Sequence, residues 1–374
     1  MTGVEPMEPL GFAQLLMDVI DEGRRTATYK LAVLLALVDT ATLAVDRTGR
    51  PPERVSTRDL ARRVVHLYWP QVRPYPLTSE SDIELRQSTQ PRAVTVDAVR
   101  DLREAAAAVG AGTASLAEMR LPELFQKTLD TVELNLVRMP LGKLQRPQGF
   151  SESGASDYPR FLYDDTPFHE GVRMRDLKAS RLHVELQPGV ADWLVSLSGL
   201  VRPLVELHWT RAVARLNHRE LHEDGLREFL FGSSRTALAR LVPGLQDMQQ
   251  GCCFYCNGRL RPGEIEVDHF VPWSRVPNDA LTNLVLADRR CNNSKRNHLA
   301  DLTLLERWWS RSAGPLHEIS SRTDWPVQTL ESIQMARAVY VHAPDGTHLW
   351  SQPGVFTLLE RSRLTTVLTE MESP

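Results

Sequence analysis

The sequence predicts an α+β protein in three parts: a long, mainly helical N-terminal region, a small unit of two strands and a helix, and a short C-terminal helical extension. Three observations point there. Apolar residues recur at helical spacing through most of the first 240 residues. All four cysteines of the 374-residue chain fall between Cys252 and Cys291, where two short strand-like runs flank a polar loop. Beyond that segment helical spacing returns, as in Leu302 to Arg311.

Composition narrows the class. A hydrophobic content of 42% is enough to bury a core in each of two or three domains. The net charge of −3 excludes a protein coated in positive charge, so a nucleic acid would have to meet local basic patches. The longest apolar run, Leu31 to Val38, is too short to cross a bilayer, and no membrane association is expected. The N-terminus starts acidic and lacks the basic and apolar regions of a secretory signal, so the cytoplasm is the expected location.

Taken in order, Phe12 to Ile20 and Tyr29 to Val45 read as core helices. Ser56 is placed to cap a helix that the Trp69-Pro70 step should stop. With Arg62 and Arg63 on it, this helix suits a packed hairpin with a solvated basic face or a helix-turn-helix set against DNA. Val72 to Val94 reads as a connection, followed by helices over Val96 to Val109 and Leu121 to Val137. The polar stretch from Pro140 to Pro167 is the expected break, with short strands at Arg160 to Tyr163 and Leu182 to Leu186. Val190 to Leu216 should be helical with interruptions near Gly199 and Pro203, and a helix over Arg235 to Val242 should end at Pro243-Gly244. The expected division is a helical region at 1–140, a mainly helical connecting or regulatory region at 141–249, the cysteine-bearing unit at 250–312, and a supporting extension at 313–374. In that extension AVYVHA looks strand-like and Gly354 to Leu368 helical.

Chemistry concentrates in the cysteine segment. Cys253 and Cys256 form a Cys-x-x-Cys step that lets two thiolates reach one tetrahedral ion, and Asp288 and Cys291 repeat the step with one carboxylate. Zinc accepts this set, with Cys252 or water as alternatives in the fourth position; buried free thiols are the competing reading. Between the halves, Ile265 and Val267 alternate with charged residues in a strand ending at Asp268-His269. A second strand follows at Asn283 to Leu286, then a helix from Asp288 to Leu299. So small a unit buries little core, a physical reason for a metal staple.

At these residues, CFYC, VDHFVPWS and NLVLADRRCNNSK, the chain resembles an HNH nuclease of the ββα-metal fold, close to zinc-containing restriction-type HNH domains. The resemblance covers about fifty residues. It implies that His269 is the general base, that Asp268 and Asn292 bind a catalytic divalent ion, Mg²⁺ or Mn²⁺, and that Asn283 braces the loop holding the histidine. The departure is Asp288, where many relatives have cysteine. The chemistry is consistent: phosphodiester hydrolysis needs an activated water and a cation on the oxygens that gain charge. Histidine titrates near neutral pH, and a hard ion prefers the oxygen donors of Asp268 and Asn292. Arg275, Arg289, Arg290, Lys295 and Arg296 are the candidate phosphate contacts, in a segment with seven Lys/Arg against five Asp/Glu.

The expected function is therefore metal-dependent hydrolysis of DNA, which family analogy places in bacterial restriction or anti-phage defence. RNA as the substrate is not separated by these residues. A different class, a zinc-stapled nucleic-acid-binding or adaptor protein that does not cut, competes with it. A homodimer or a protein partner reached through the N-terminal region would supply a second active site for two-strand cutting.

Overall fold

The structure is a computed structural model that describes residues 8–21, 26–77, 81–146, 159–179, 181–217, 221, 223–232, 238–311 and 313–370. The chain forms two compact units, one of residues 1–41 and 52–232 and one of residues 42–51 and 233–374. Each is described separately.

Among the described residues, the first unit is helical with one two-stranded sheet. Its elements are α1 (Pro9–Ile20), α2 (Tyr29–Leu43), β1 (Arg54–Ser56), α3 (Thr57–Tyr68), α4 (Val94–Ala108), α5 (Ala114–Arg120), α6 (Pro122–Arg138), α7 (Pro140–Lys143), α8 (Met174–Ala179), β2 (His183–Glu185), α9 (Val190–Ser196), α10 (Ser198–Asn217) and α11 (Glu223–Phe231). Ser56 caps α3 as expected, its side chain accepting from the Arg58 and Asp59 amides, an arrangement worth about 1 kcal/mol. The helix buries Leu60, Ala61, Val64, Val65 and Tyr68, the spacing of one helical face.

The two arginines of α3 have acidic partners within the unit. Arg62 pairs with Glu118 at 3.1 Å, and Arg63 pairs with the fully buried Asp39 at 2.5 Å. Of the two expected strands, Leu182 to Leu186 contains β2, antiparallel to β1. Arg160 to Tyr163 is not a strand and contributes a single bridge, Tyr163 to Leu186. Part of the expected break, residues 147–158, lies outside the described residues, as do residues 235–237 of the helix expected before Pro243. The break after α9 falls at Leu197, and Pro203 is carried inside α10.

The second unit comprises α12 (Val242–Met248), β3 (Ile265–His269), β4 (Leu284–Asp288), α13 (Arg289–Lys295), α14 (Leu302–Trp309), α15 (Ala313–Thr323), α16 (Thr329–Val341), β5 (His348–Gln352), β6 (Val355–Leu358) and α17 (Arg361–Glu370). Pro243 starts α12 rather than stopping a helix, because proline in the first turn lacks only an amide that has no helical partner there. β3 and β4 are antiparallel, with His269 opposite Leu284 and Ile265 opposite Asp288. Around them Phe254, Phe270, Val285, Leu305, Trp308, Tyr340 and Trp350 form one buried core. Phe270 stacks on Trp308 with ring centroids 4.9 Å apart and planes 5° from parallel.

Two expectations fail in the extension. The AVYVHA segment lies largely in α16, since Met335, Ala336, Val339 and Tyr340 recur on one helical face against this core. Gly354 to Leu368 begins as a hairpin strand: Gly354 turns β5 into β6 with φ +82°, and the helix starts only at Arg361.

Candidate functional site

Two neighbouring centres are built on β3, β4 and α13. The first gathers the cysteines. One donor atom from each of Cys253, Cys256, Asp288 and Cys291 lies within 4.8 Å of the others. The knuckle is held against β4 by the Phe254 amide on the Leu286 carbonyl at 2.8 Å. Asn257, with φ +61°, turns the chain so that Gly258 accepts from the Cys253 amide at 2.8 Å. Amides of Gly258 and Asp288 point at the sulfurs of Cys256 and Cys253, both at 3.4 Å. Asp288 has two tasks: Oδ1 caps α13 through the Cys291 amide at 2.9 Å, and Oδ2 accepts from the Cys256 thiol at 3.1 Å.

The electrostatics follow from this packing. Burial pushes the Cys253 thiol up to about 11 and the Cys291 thiol up as well, Asp288 adding to the latter. Burial would raise Asp288 too, but hydrogen bonds from the Cys291 amide and the Cys256 thiol outweigh it and hold the carboxylate below its usual range. Anionic thiolates at this spacing need a cation between them, and three sulfurs with one carboxylate oxygen suit tetrahedral coordination. Cys252 is not in the cluster; its thiol turns to the Gln250 carbonyl at 3.6 Å.

The second centre is at the end of β3. Asp268 Oδ2 accepts from the Tyr255 hydroxyl at 2.5 Å and from Lys295 Nζ at 2.9 Å, and Oδ1 has no hydrogen-bond partner among the described residues. His269 is buried, and its Nε2 bonds Asp279 Oδ1 at 2.8 Å. The Trp273 ring tilts against it with centroids 5.1 Å apart. Asn283, fully buried, ties the loop after β3: Oδ1 accepts the Val271 amide at 2.9 Å, and Nδ2 donates to the carbonyls of Val271 at 3.2 Å and Asn278 at 3.0 Å. Asn292 lies half-buried one residue after Cys291, on the helix that starts from the cysteine cluster.

Lys295 does not lie where a phosphate contact would. It is fully buried, its ammonium on Asp268 and on the His269 carbonyl at 2.9 Å and 5.6 Å from the Tyr255 ring centroid. A charge removed from water must be paired, and this one is paired inside the site. α13 ends directly after it, at Arg296 with φ +48°, so the expected continuation to Leu299 is absent. Arg290 and Arg296 are exposed. Arg289 is exposed but reaches back to the Gly263 carbonyl at 2.6 Å and Glu266 at 3.4 Å. Arg275 is half-buried, and burial lowers its pKa.

Two residues of the centre gave no signal in the sequence. Tyr255 sits inside the Cys-x-x-Cys step and reads as a core aromatic, and Asp279 sits in a Pro-Asn-Asp stretch that reads as a turn.

Residues 10–230 match a family described as a domain of unknown function (DUF8808). The chain belongs to that family. In this DUF8808 protein the second unit carries an HNH endonuclease domain, matched over residues 253–300. Its cysteine cluster fits a zinc-binding HNH motif. No curated protein and no solved structure matches the chain. Among the described residues no helix is long and apolar enough to cross a membrane.

Proposed function

We propose that this DUF8808 protein is a metal-dependent endonuclease that hydrolyses DNA phosphodiester bonds in bacterial restriction or anti-phage defence, with the first unit supplying target choice, partner binding or control. The observation that carries the reading is the pair at the end of β3. Asp268 and His269 are each anchored through one atom, while Asp268 Oδ1 and His269 Nδ1 have no hydrogen-bond partner among the described residues.

In this reading Asp268 and Asn292 hold a divalent ion, Mg²⁺ or Mn²⁺. When bound, that ion supplies positive charge to the phosphate oxygens on which negative charge develops. His269 takes the proton of the attacking water, and Asn283 keeps the histidine loop in register. Lys295 and Tyr255 aim the Asp268 carboxylate by engaging Oδ2. Arg290 and Arg296, with Arg289, neutralise flanking phosphates without reading sequence. Zinc on Cys253, Cys256, Asp288 and Cys291 staples the base of the unit, so that β4 and α13 leave one fixed point.

The test is incubation of the wild type and His269→Ala with plasmid, linear and single-stranded DNA and with RNA, across a series of divalent metals. The wild type should cut DNA only when a divalent ion is added, and His269→Ala should lose about 10²- to 10⁴-fold in rate, the usual contribution of a general base, with its fold intact. Equal rates for the two proteins overturn the assignment. Tight binding without nicks in Mg²⁺ or Mn²⁺ would instead make the protein a zinc-stapled adaptor.

A further inference from the structure

We propose that Asp279 is the positioning residue for His269: it fixes the hydrogen on Nε2, so that Nδ1 is the nitrogen that takes the proton of the attacking water. The proposal deepens the endonuclease reading and rests on it.

The argument starts from what each atom can do. An ionised carboxylate only accepts hydrogen bonds, so a ring nitrogen 2.8 Å from Asp279 Oδ1 must carry hydrogen. A neutral imidazole has one hydrogen between its two nitrogens, and fixing it on Nε2 leaves the lone pair on Nδ1. Nδ1 has no hydrogen-bond partner among the described residues. Without such an acceptor the ring would exchange tautomers and rotate about its last side-chain bond, and in the wrong state it could not receive a proton at the water.

Asp279 is itself held. Its carbonyl accepts from the Trp325 indole at 2.5 Å. Across it, Asn278 Oδ1 accepts the Ala280 amide at 2.8 Å, and on its N-terminal side Asn283 Nδ2 donates to the Asn278 carbonyl at 3.0 Å. Asn283 therefore braces both the segment leaving His269 and the segment delivering its carboxylate partner. The His269 side chain is 10% exposed, which separates this contact from a solvated surface pair. The nearby charges, Lys295 on the His269 carbonyl and the adjacent Asp268, bond neither ring nitrogen.

The reaction balances with this assignment. Water gives one proton to Nδ1 as its oxygen bonds phosphorus; the bond from phosphorus to the 3′ oxygen breaks, and that oxygen takes a proton from solvent. Asp279 touches no reacting atom.

The test uses the full chain. Nitrogen-15 NMR of the histidine rings reads the tautomer directly, and the spectrum of His269→Ala identifies the His269 signal among the 11 histidines. The wild type should show the Nε2–H form, and Asp279→Ala a mixture of both forms. In cleavage assays Asp279→Asn and Asp279→Ala should lose roughly 10- to 100-fold in kcat, by analogy with the loss of a partner that orients a metal-ligating imidazole. KM for DNA should stay within about twofold, because Asp279 makes no substrate contact. Asp279→Glu should recover part of kcat, and equal thermal midpoints would separate the effect from unfolding. An Nδ1–H form in the wild type overturns the proposal, as does wild-type kcat in Asp279→Ala while His269→Ala is inactive; both leave the endonuclease reading standing. A wild type that cuts no nucleic acid overturns both.

Discussion

In the first unit Asp39 and Arg202 are fully buried and paired with each other, Arg63 bonds the same carboxylate, and Glu206 bridges Arg202 to Arg227. In the second unit Lys295 is equally buried, yet its partners are the Asp268 carboxylate and a carbonyl, and the next residue, His269, has its own carboxylate in Asp279. The first network contains three guanidinium groups and two carboxylates, and each ion faces another ion of the protein. The second network anchors Asp268 and His269 through one side-chain atom each, and Asp268 Oδ1 and His269 Nδ1 have no hydrogen-bond partner among the described residues. Buried charge by itself is a weak sign of function, so the proposed reading rests on the two atoms of Asp268 and His269 rather than on burial.

The sharpest way to break this comparison is to remove the metal proposed for the second unit. Chelation, or Cys253→Ser with Cys291→Ser, should abolish hydrogen-exchange protection across residues 250–300 while the first unit keeps its own. Structural zinc in small units carries on the order of 10 kcal/mol. Metal analysis should find one zinc per chain, and full protection without zinc would return the cysteines to buried thiols. Next in size, Asp39→Ala leaves Arg202 buried without its main counter-ion and should cost the first unit about 3–5 kcal/mol in denaturant unfolding. A loss under about 1 kcal/mol would mean that Glu206 suffices and the network is not cooperative.

A third test reads the first unit by pH, where the effect per pH unit is the smallest. Burial, with the charges of Arg63 and Arg62 adding to it, lowers His66 to about 3. The unfolded histidine titrates near 6.5, so the unfolded chain holds more protons between these limits and stability falls as pH drops through that window. The slope is at most about 1.4 kcal/mol per pH unit. His66→Gln should flatten the difference curve below pH 6.5, and an unchanged slope would place the acid sensitivity elsewhere.

Most residues of the second unit's candidate site were legible in the sequence because their signals are local. Alternation at Ile265 and Val267 marks β3, and three-residue steps mark the candidate metal donors. What escaped depends on contacts made far along the chain. Lys295 looks like a solvated helix residue until the Asp268 carboxylate, 27 positions earlier, is seen beneath it. Asp279 looks like turn chemistry until the His269 ring meets it. In the extension, β-branched residues near Val339 suggested a strand, and only the core formed with Trp308 and Trp350 makes the helical face decisive. The same holds for Arg62 and Arg63, basic by composition and neutralised by partners from other helices.

The hairpin of β5 and β6 bears on how far this domain can be transplanted. Trp350 donates its amide to the Leu299 carbonyl at 2.7 Å, accepts the Asp301 amide at 2.9 Å, and bonds Ser294 on α13 through its indole at 3.0 Å. Its ring also packs on Tyr255, which holds Asp268. The fifty residues that carry the chemistry thus lack one wall when cut out at Ala300. A portable cassette built from this HNH domain has to extend through the C-terminal hairpin, beyond the matched motif.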